Sequence, residues 1–130
     1  MTDRVFLSMN ARSQEGTSTL HIWCAEKSVD VSLELAQGVF NFTVTEDDRI
    51  IQIMTRFGRE EASTEQWSVS EAGDDASDPS GAGKSWVELL TAYTRLVMRW
   101  DVWPGHPVTG TWTFSAQDVA QVKTFLRRCG

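Results

Sequence analysis

The run Thr19-Leu-His-Ile-Trp-Cys24 indicates the architecture of this chain of 130 residues. Leu20 and Ile22 alternate with other side chains at the two-residue period of a half-buried β-strand. Cys24 closes the run and Cys129 closes the last helical pattern, so two lone cysteines frame nearly the whole chain. In a reducing compartment they would remain structural thiols, whereas in an oxidising one they could pair as a disulfide. Both alternatives stay open at this point.

Similar short runs continue along the chain, each rich in β-branched and aromatic residues and bounded by polar or turn-forming residues. They predict a series of half-buried strands connected by short turns. The further predicted strands are Val5–Met9, Val29–Leu35, Val39–Val44, Arg49–Phe57, Gln66–Ser70, Arg95–Val102 and Thr109–Phe114.

Two late segments carry helical signals. Ser85 and Glu88 have the spacing of a capping box, and Ser115 with Asp118 opens the second segment. The predicted apolar stripes are Trp86, Leu89, Leu90 and Tyr93 in the first helix and Val119, Val122, Phe125 and Leu126 in the second. We therefore predict an α+β fold, an antiparallel β-rich sheet or sandwich with two late α-helices at about 85–93 and 116–128, in one domain spanning 1–130.

The charge balance limits the class of partner. The chain has 18 acidic and 12 basic side chains and a net charge of −6, so phosphate backbones and anionic lipids would be repelled. We expect no direct nucleic-acid binding and no membrane insertion, and we expect a protein partner, particularly one with a basic surface. The sequence contains no apolar run typical of a signal peptide or a membrane span. It therefore predicts a cytoplasmic protein as written, or a periplasmic one if an export segment has been removed.

One segment departs from the average composition. Residues at about 71–84 are turn-forming and acidic, which predicts a mobile surface loop. From Glu60 to Gly83 there are seven acidic residues and no basic one. This stretch is interpreted either as a solvated loop or as an acidic docking strip for a basic groove. The candidate docking residues are Glu60, Glu61, Glu65, Asp74, Asp75 and Asp78.

The patterns that suggest catalysis are weak. Asp78-Pro-Ser-Gly-Ala-Gly-Lys84-Ser85 resembles a phosphate-binding loop, but a carboxylate stands where that loop needs glycine. His21 and His106 have no second ligand at a metal-binding spacing, and neither cysteine is marked as an acidified nucleophile. We therefore predict a protein that is not an enzyme and needs no cofactor or metal.

Trp103 and His106 lie in a link rich in turn-forming residues between two predicted strands. Core anchoring is the ordinary role of a tryptophan in a chain of this size. The alternative is a partly exposed aromatic patch around Trp103 and His106, which would suit protein binding because tryptophan is enriched at binding hot spots.

The order of these motifs resembles the VasI (TagO) type VI secretion-associated domain family, in which a paired strand ends in cysteine before a charged turn. The resemblance covers most of the chain. It implies a non-enzymatic, β-rich accessory or binding domain whose two cysteines approach each other. Proteins of that family usually carry an export or anchoring segment. The motifs that carry the resemblance are Val5–Met9, Gly16–Cys24, Glu26-Lys27, Val29–Val31, Arg49–Phe57, Gln66–Ser70, Leu89–Met98, Thr113–Ser115 and Leu126–Cys129.

Two functions follow as hypotheses. The first is a non-enzymatic protein-binding accessory domain of the VasI type. The alternative is a small acidic inhibitor from a phage or other mobile element, of the anti-CRISPR kind, which would occupy the basic nucleic-acid-binding groove of a defence complex.

Overall fold

The computed structural model describes residues 7–25, 28–39, 43–45, 48–77 and 83–129. These ranges contain nine strands and two helices, and the predicted antiparallel, β-rich α+β fold with two late helices is confirmed. The predicted residues 5, 6 and 40–42 lie outside the described part of the chain. The elements are β1 (Leu7–Arg12), β2 (Ser18–Ala25), β3 (Ser28–Leu35), β4 (Thr43–Thr45), β5 (Asp48–Phe57), β6 (Ser63–Val69), β7 (Asp75–Ser77), α1 (Gly83–Ala92), β8 (Arg95–Trp103), β9 (His106–Thr113) and α2 (Ala116–Cys129).

The strands form one sheet in the order β1-β2-β3-β7-β6-β5-β8-β9, with β4 added beside β5. All ladders are antiparallel. Most strands therefore lie beside a chain neighbour, which is the usual arrangement of connected antiparallel strands. Two ladders join strands that are not consecutive in the chain: β7 pairs with β3 as well as with β6, and β8 pairs with β5.

The prediction of a loop at about 71–84 is wrong at two places. Asp75–Ser77 is a central strand, and Ala76 is fully buried opposite Leu33. Gly83 and Lys84 belong to the first turn of α1. A three-residue strand with one small apolar side chain is too short to show the alternation of apolar and polar residues that marks a strand. Its structure therefore depends on pairing with the neighbouring strands rather than on local propensity.

The core lies between one face of the sheet, called the inner face here, and the two helices. Leu20, Leu33, Ile53, Trp67 and Met98 are among the inner-face residues with at most 1% exposure. Full burial of each such side chain contributes roughly 1.5–3 kcal/mol. The helices add apolar side chains that complete this core, namely Trp86, Val87 and Leu90 of α1 and Val122 and Phe125 of α2.

The two helix starts differ from each other. The predicted cap at Ser115 is confirmed, because the Asp118 amide donates to Ser115 Oγ at 3.1 Å and Asp118 Oδ2 accepts from the Ser115 amide at 2.8 Å. The predicted cap at Ser85 is wrong, since α1 already begins at Gly83. A side chain at Gly83 would collide with the Val29 carbonyl, so this helix start lies directly on β3. Leu89 is also exposed rather than part of the buried stripe.

The turn between β1 and β2 covers the outer edge of β9. The Gln14 amide donates to the Thr111 carbonyl at 2.8 Å, and Glu15 accepts from the Thr111 amide at 2.8 Å and from its hydroxyl at 2.6 Å. The Trp112 indole donates to the Ala11 carbonyl at 2.8 Å. These contacts bring the two ends of the sheet together and protect the edge of β9, which would otherwise present unpaired backbone groups.

A disulfide joins Cys24 of β2 to Cys129 at the end of α2. The two Cα atoms are 5.8 Å apart, and the cysteines are separated by 105 positions. Both side chains are buried within the core. Of the two alternatives left open by the sequence, the structure contains the disulfide.

Replacing both cysteines by alanine should lower the free energy of unfolding by about 4–5 kcal/mol, because the crosslink closes a very long loop in the unfolded chain. Guanidinium denaturation of the wild type with and without reductant, beside the double variant, measures this. Reductant should leave the double variant unchanged. An equal midpoint for oxidised and reduced wild type would contradict the stabilising role.

Replacing Glu15 by glutamine should destabilise the protein at pH 7 but not at low pH. Partial desolvation acts to raise the pKa of Glu15. The hydrogen bonds from Thr111, a backbone hydrogen bond within Glu15 itself and the charge of Arg95 together outweigh it and hold the pKa below its ordinary value of 4.5. The carboxylate therefore stabilises the fold fully above pH 4.5, and this contribution is lost as pH falls through the lowered folded pKa.

Urea denaturation from pH 7 down to pH 3 compares wild type with Glu15→Gln. The difference in unfolding free energy should shrink at the acidic end. Glu88→Gln, on the exposed side of α1, is the matched control and should be nearly neutral throughout. A Glu15→Gln difference that stays constant over this range would rule out the carboxylate effect.

Candidate binding surfaces

The β8–β9 hairpin ends in an exposed aromatic side chain. Trp103 is 51% exposed and pairs with His106, which is also exposed. Pro104 and Gly105 form the turn between them, and Gly105 has φ of 78°, a conformation that favours glycine. We call residues 103–107 the hairpin tip.

The hairpin tip lies beyond the end of the ladder that joins the hairpin to β5. The ladder between β8 and β5 runs from Leu96 opposite Phe57 to Arg99 opposite Met54. Further along the same edge of β5, Ile50 pairs with β4 instead. Within the described part of the chain, the ladder of the last β8 residues is therefore with β9 alone.

The hairpin tip has the chemical features of a protein-binding surface. A half-exposed indole supplies a large apolar contact at little cost in side-chain entropy, and tryptophan is enriched among residues that dominate binding energy. The two-residue period of β8 accounts for its orientation: Leu96, Met98, Trp100 and Val102 are buried, and Trp103 faces the other side. The same alternation, visible in the sequence, is the signal that could have predicted a buried Trp100 and an exposed Trp103.

The structure separates the candidate acidic residues. Glu60 and Glu61 precede β6, whereas Asp74 follows it and Asp75 begins β7. A seven-residue strand spans about 23 Å, so these groups lie at opposite ends of β6. Asp78 lies outside the described residues. The described acids do not form one continuous strip.

Two of these glutamates have internal partners. The Tyr93 hydroxyl donates to Glu60 Oε1 at 2.7 Å, and this bond raises the pKa of Tyr93 above its ordinary value. Glu65 is half-buried, and its Oε1 accepts from Thr55 Oγ1 at 2.7 Å and from the indoles of Trp67 and Trp86 at 3.4 Å each. Glu65 therefore satisfies donors at the edge of the core, which a solvent-exposed docking residue would not do.

Asp74 and Asp75 belong to a polar cluster on the outer face of the sheet. Ser70 Oγ and Asp74 Oδ1 are hydrogen bonded at 3.1 Å, and Asp75 lies opposite Glu34. Partial burial raises the pKa of Asp75 above its ordinary value; His21 opposes this shift, and Asp74 and Glu34 add to it. The cluster is thus a structural network across β2, β3 and β7.

His21 and the two cysteines occupy ordinary structural positions. His21 Nδ1 is hydrogen bonded to Asn10, and its Nε2 lies 2.9 Å from Glu34 Oε2. Cys24 and Cys129 are oxidised, so neither provides a thiolate nucleophile. Among the residues that the structure describes, no three His, Cys, Asp or Glu side chains are grouped so that they could hold a metal ion.

A groove between β1 and α2 was not foreseen from the sequence. It encloses about 530 Å³ and continues into a further region of about 280 Å³. No local pattern marks it, because its walls come from opposite ends of the chain. Its main part is lined by Met9, Asn10, Gln117, Ala120, Gln121, Thr124, Phe125 and Arg128.

Comparison with protein-family models, curated proteins and solved structures finds no match. Among the described helices, none has the length and apolar character needed to span a membrane.

Replacing Glu65 by alanine should lower the free energy of unfolding by about 2–3 kcal/mol, because it leaves the Thr55, Trp67 and Trp86 donors without their acceptor. Glu65→Gln keeps one oxygen acceptor and should cost less. Denaturation followed by tryptophan emission is the measurement, and Gln66→Ala, at the neighbouring exposed position, is the control. Equal effects of Glu65→Ala and Gln66→Ala would contradict the structural role of Glu65.

Proposed function

We propose that this chain is a non-enzymatic accessory domain that binds another protein through the hairpin tip. The observation that carries this proposal is the 51% exposure of Trp103 at the end of a paired hairpin. A partner surface that covers this indole would remove a large apolar area from water, and the short turn holds the tip without a large ordering cost.

The resemblance to VasI-type domains supports the class of the proposed function. That resemblance implies two cysteines that approach each other, and the Cys24–Cys129 disulfide agrees with it. Disulfides of this kind persist mainly in oxidising compartments. The disulfide therefore favours the periplasmic alternative over the cytoplasmic one, and we propose that the domain acts with envelope or secretion components.

The alternative of an acidic inhibitor has less support. A protein that occupies a basic nucleic-acid groove needs carboxylates grouped on one surface. Glu60 and Asp74 lie at opposite ends of β6, and Glu65 is engaged by core donors. The capture experiment described next also tests this alternative.

Replacing Trp103 by alanine should weaken partner binding by about 30-fold or more, as expected for a hot-spot residue worth about 2 kcal/mol. Tagged wild type and Trp103→Ala are compared in capture from the host lysate at low and high salt, followed by mass spectrometry and titration of the recovered partner. His106→Ala should give a smaller loss. Leu89→Ala, which removes another exposed apolar side chain, is the matched control.

Two results would overturn the proposal. The Trp103→Ala variant could bind the partner as tightly as wild type does, or its loss of affinity could equal that of Leu89→Ala. Recovery of a nucleic-acid-handling complex at low salt alone, lost when Glu61 and Asp74 are neutralised, would instead support the acidic inhibitor.

A further inference from the structure

We propose that the groove between β1 and α2 binds an extended acidic peptide segment of a partner protein, which adds to the sheet as a strand beside β1. This surface shares no residue with the hairpin tip. Its failure as a binding site would therefore leave the proposed function of the tip untouched.

The unpaired edge of β1 favours an occupant with strand structure. Among the described strands, β1 pairs only with β2 and forms the end of the sheet. At the far end of β1 the edge is closed, because the Ala11 carbonyl accepts from the Trp112 indole. Met9 and Asn10 line the groove beside the earlier part of that edge. Backbone groups on such an edge are a template for a further strand.

The opposite wall leaves room for a peptide. Ala120 and Thr124 of α2 present small side chains to the groove, and Gln117 and Gln121 supply amides that can donate or accept. Its volume of about 530 Å³ lies within the range of ligand sites in proteins. A groove between an edge strand and a helix, with room for one chain, is the geometry of peptide recognition by strand addition.

The net charge of the two elements that form the groove favours an acidic peptide. β1 carries Arg12, and α2 carries Lys123, Arg127 and Arg128 against a single acid, Asp118. These two elements therefore have a net charge of +3, four basic groups less one acid, in a chain with a net charge of −6.

Three of these charged groups line the groove. Arg128 lies in the main part, and Arg12 and Asp118 lie in the continuation. Asp118 is already bonded to the Ser115 amide. A carboxylate of the peptide would thus meet the two arginines, while apolar side chains would meet Met9 and Phe125.

The test begins with selection of random ten-residue peptides, displayed on phage, against the full oxidised chain. We expect the enriched peptides to be acidic and rich in β-branched residues. Synthetic versions are then titrated by fluorescence anisotropy. Two further versions of each peptide carry N-methyl groups on alternate backbone amides, one on the odd and one on the even positions. Only one set of amides can donate to β1, so methylation of that set should abolish binding and methylation of the other set should not.

Arg128→Glu should weaken binding at least about tenfold, since it replaces a charge-assisted contact by repulsion. Lys123→Glu changes the charge of the same helix equally but lies outside the groove lining, and it should change the affinity less than about twofold. Ala120→Trp, which fills the groove, should also abolish binding. Circular dichroism and thermal unfolding check that each variant is folded.

Several outcomes would overturn the proposal. The selection could enrich no binder, or only basic or proline-rich peptides. Arg128→Glu and Lys123→Glu could have equal effects, or neither register of methylated peptide could lose affinity. Sedimentation that shows dimers of the wild type, dissociated by Ala120→Trp, would assign the groove to a second copy of the chain instead.

Discussion

The attachment of α2 to the inner face of the sheet is the constraint on which the rest of the structure depends. Val122 and Phe125 are buried in the common core, and Cys129 is bonded to Cys24 of β2. The helix cannot move away without exposing apolar area and straining the crosslink. Its fixed position completes the core and also forms one wall of the groove beside β1.

The carboxylates illustrate why net charge alone does not identify a binding surface. Glu15 accepts from Thr111, Glu60 from Tyr93, and Glu65 from the Trp67 and Trp86 indoles and a threonine. Each of these acids satisfies donors that would otherwise lose a partner in the fold. These carboxylates are therefore placed where they accept hydrogen bonds within the fold. The two elements that form the groove, β1 and α2, carry a net positive charge although the whole protein is acidic.

Local patterns predicted the parts of the fold that depend on local physics. The period of two located the long strands, and the Ser115 cap located the start of α2. β7 was missed because pairing on both sides, rather than its own composition, holds Asp75–Ser77 in the sheet. The start of α1 was misplaced because Gly83 rests on the Val29 backbone, a contact invisible in the sequence. The groove was missed for the same reason, since β1 and α2 meet only after folding.

The two candidate surfaces depend on different parts of the molecule. The hairpin tip is held by the ladder between β8 and β9, which are consecutive in the chain and need only a Pro104-Gly105 turn to meet. The groove instead needs the first described strand and the last helix to stay together, and the Cys24–Cys129 bond contributes by joining α2 to β2, the strand that pairs with β1. Its shape is therefore linked to the oxidised state of the protein, whereas the shape of the hairpin tip is set locally.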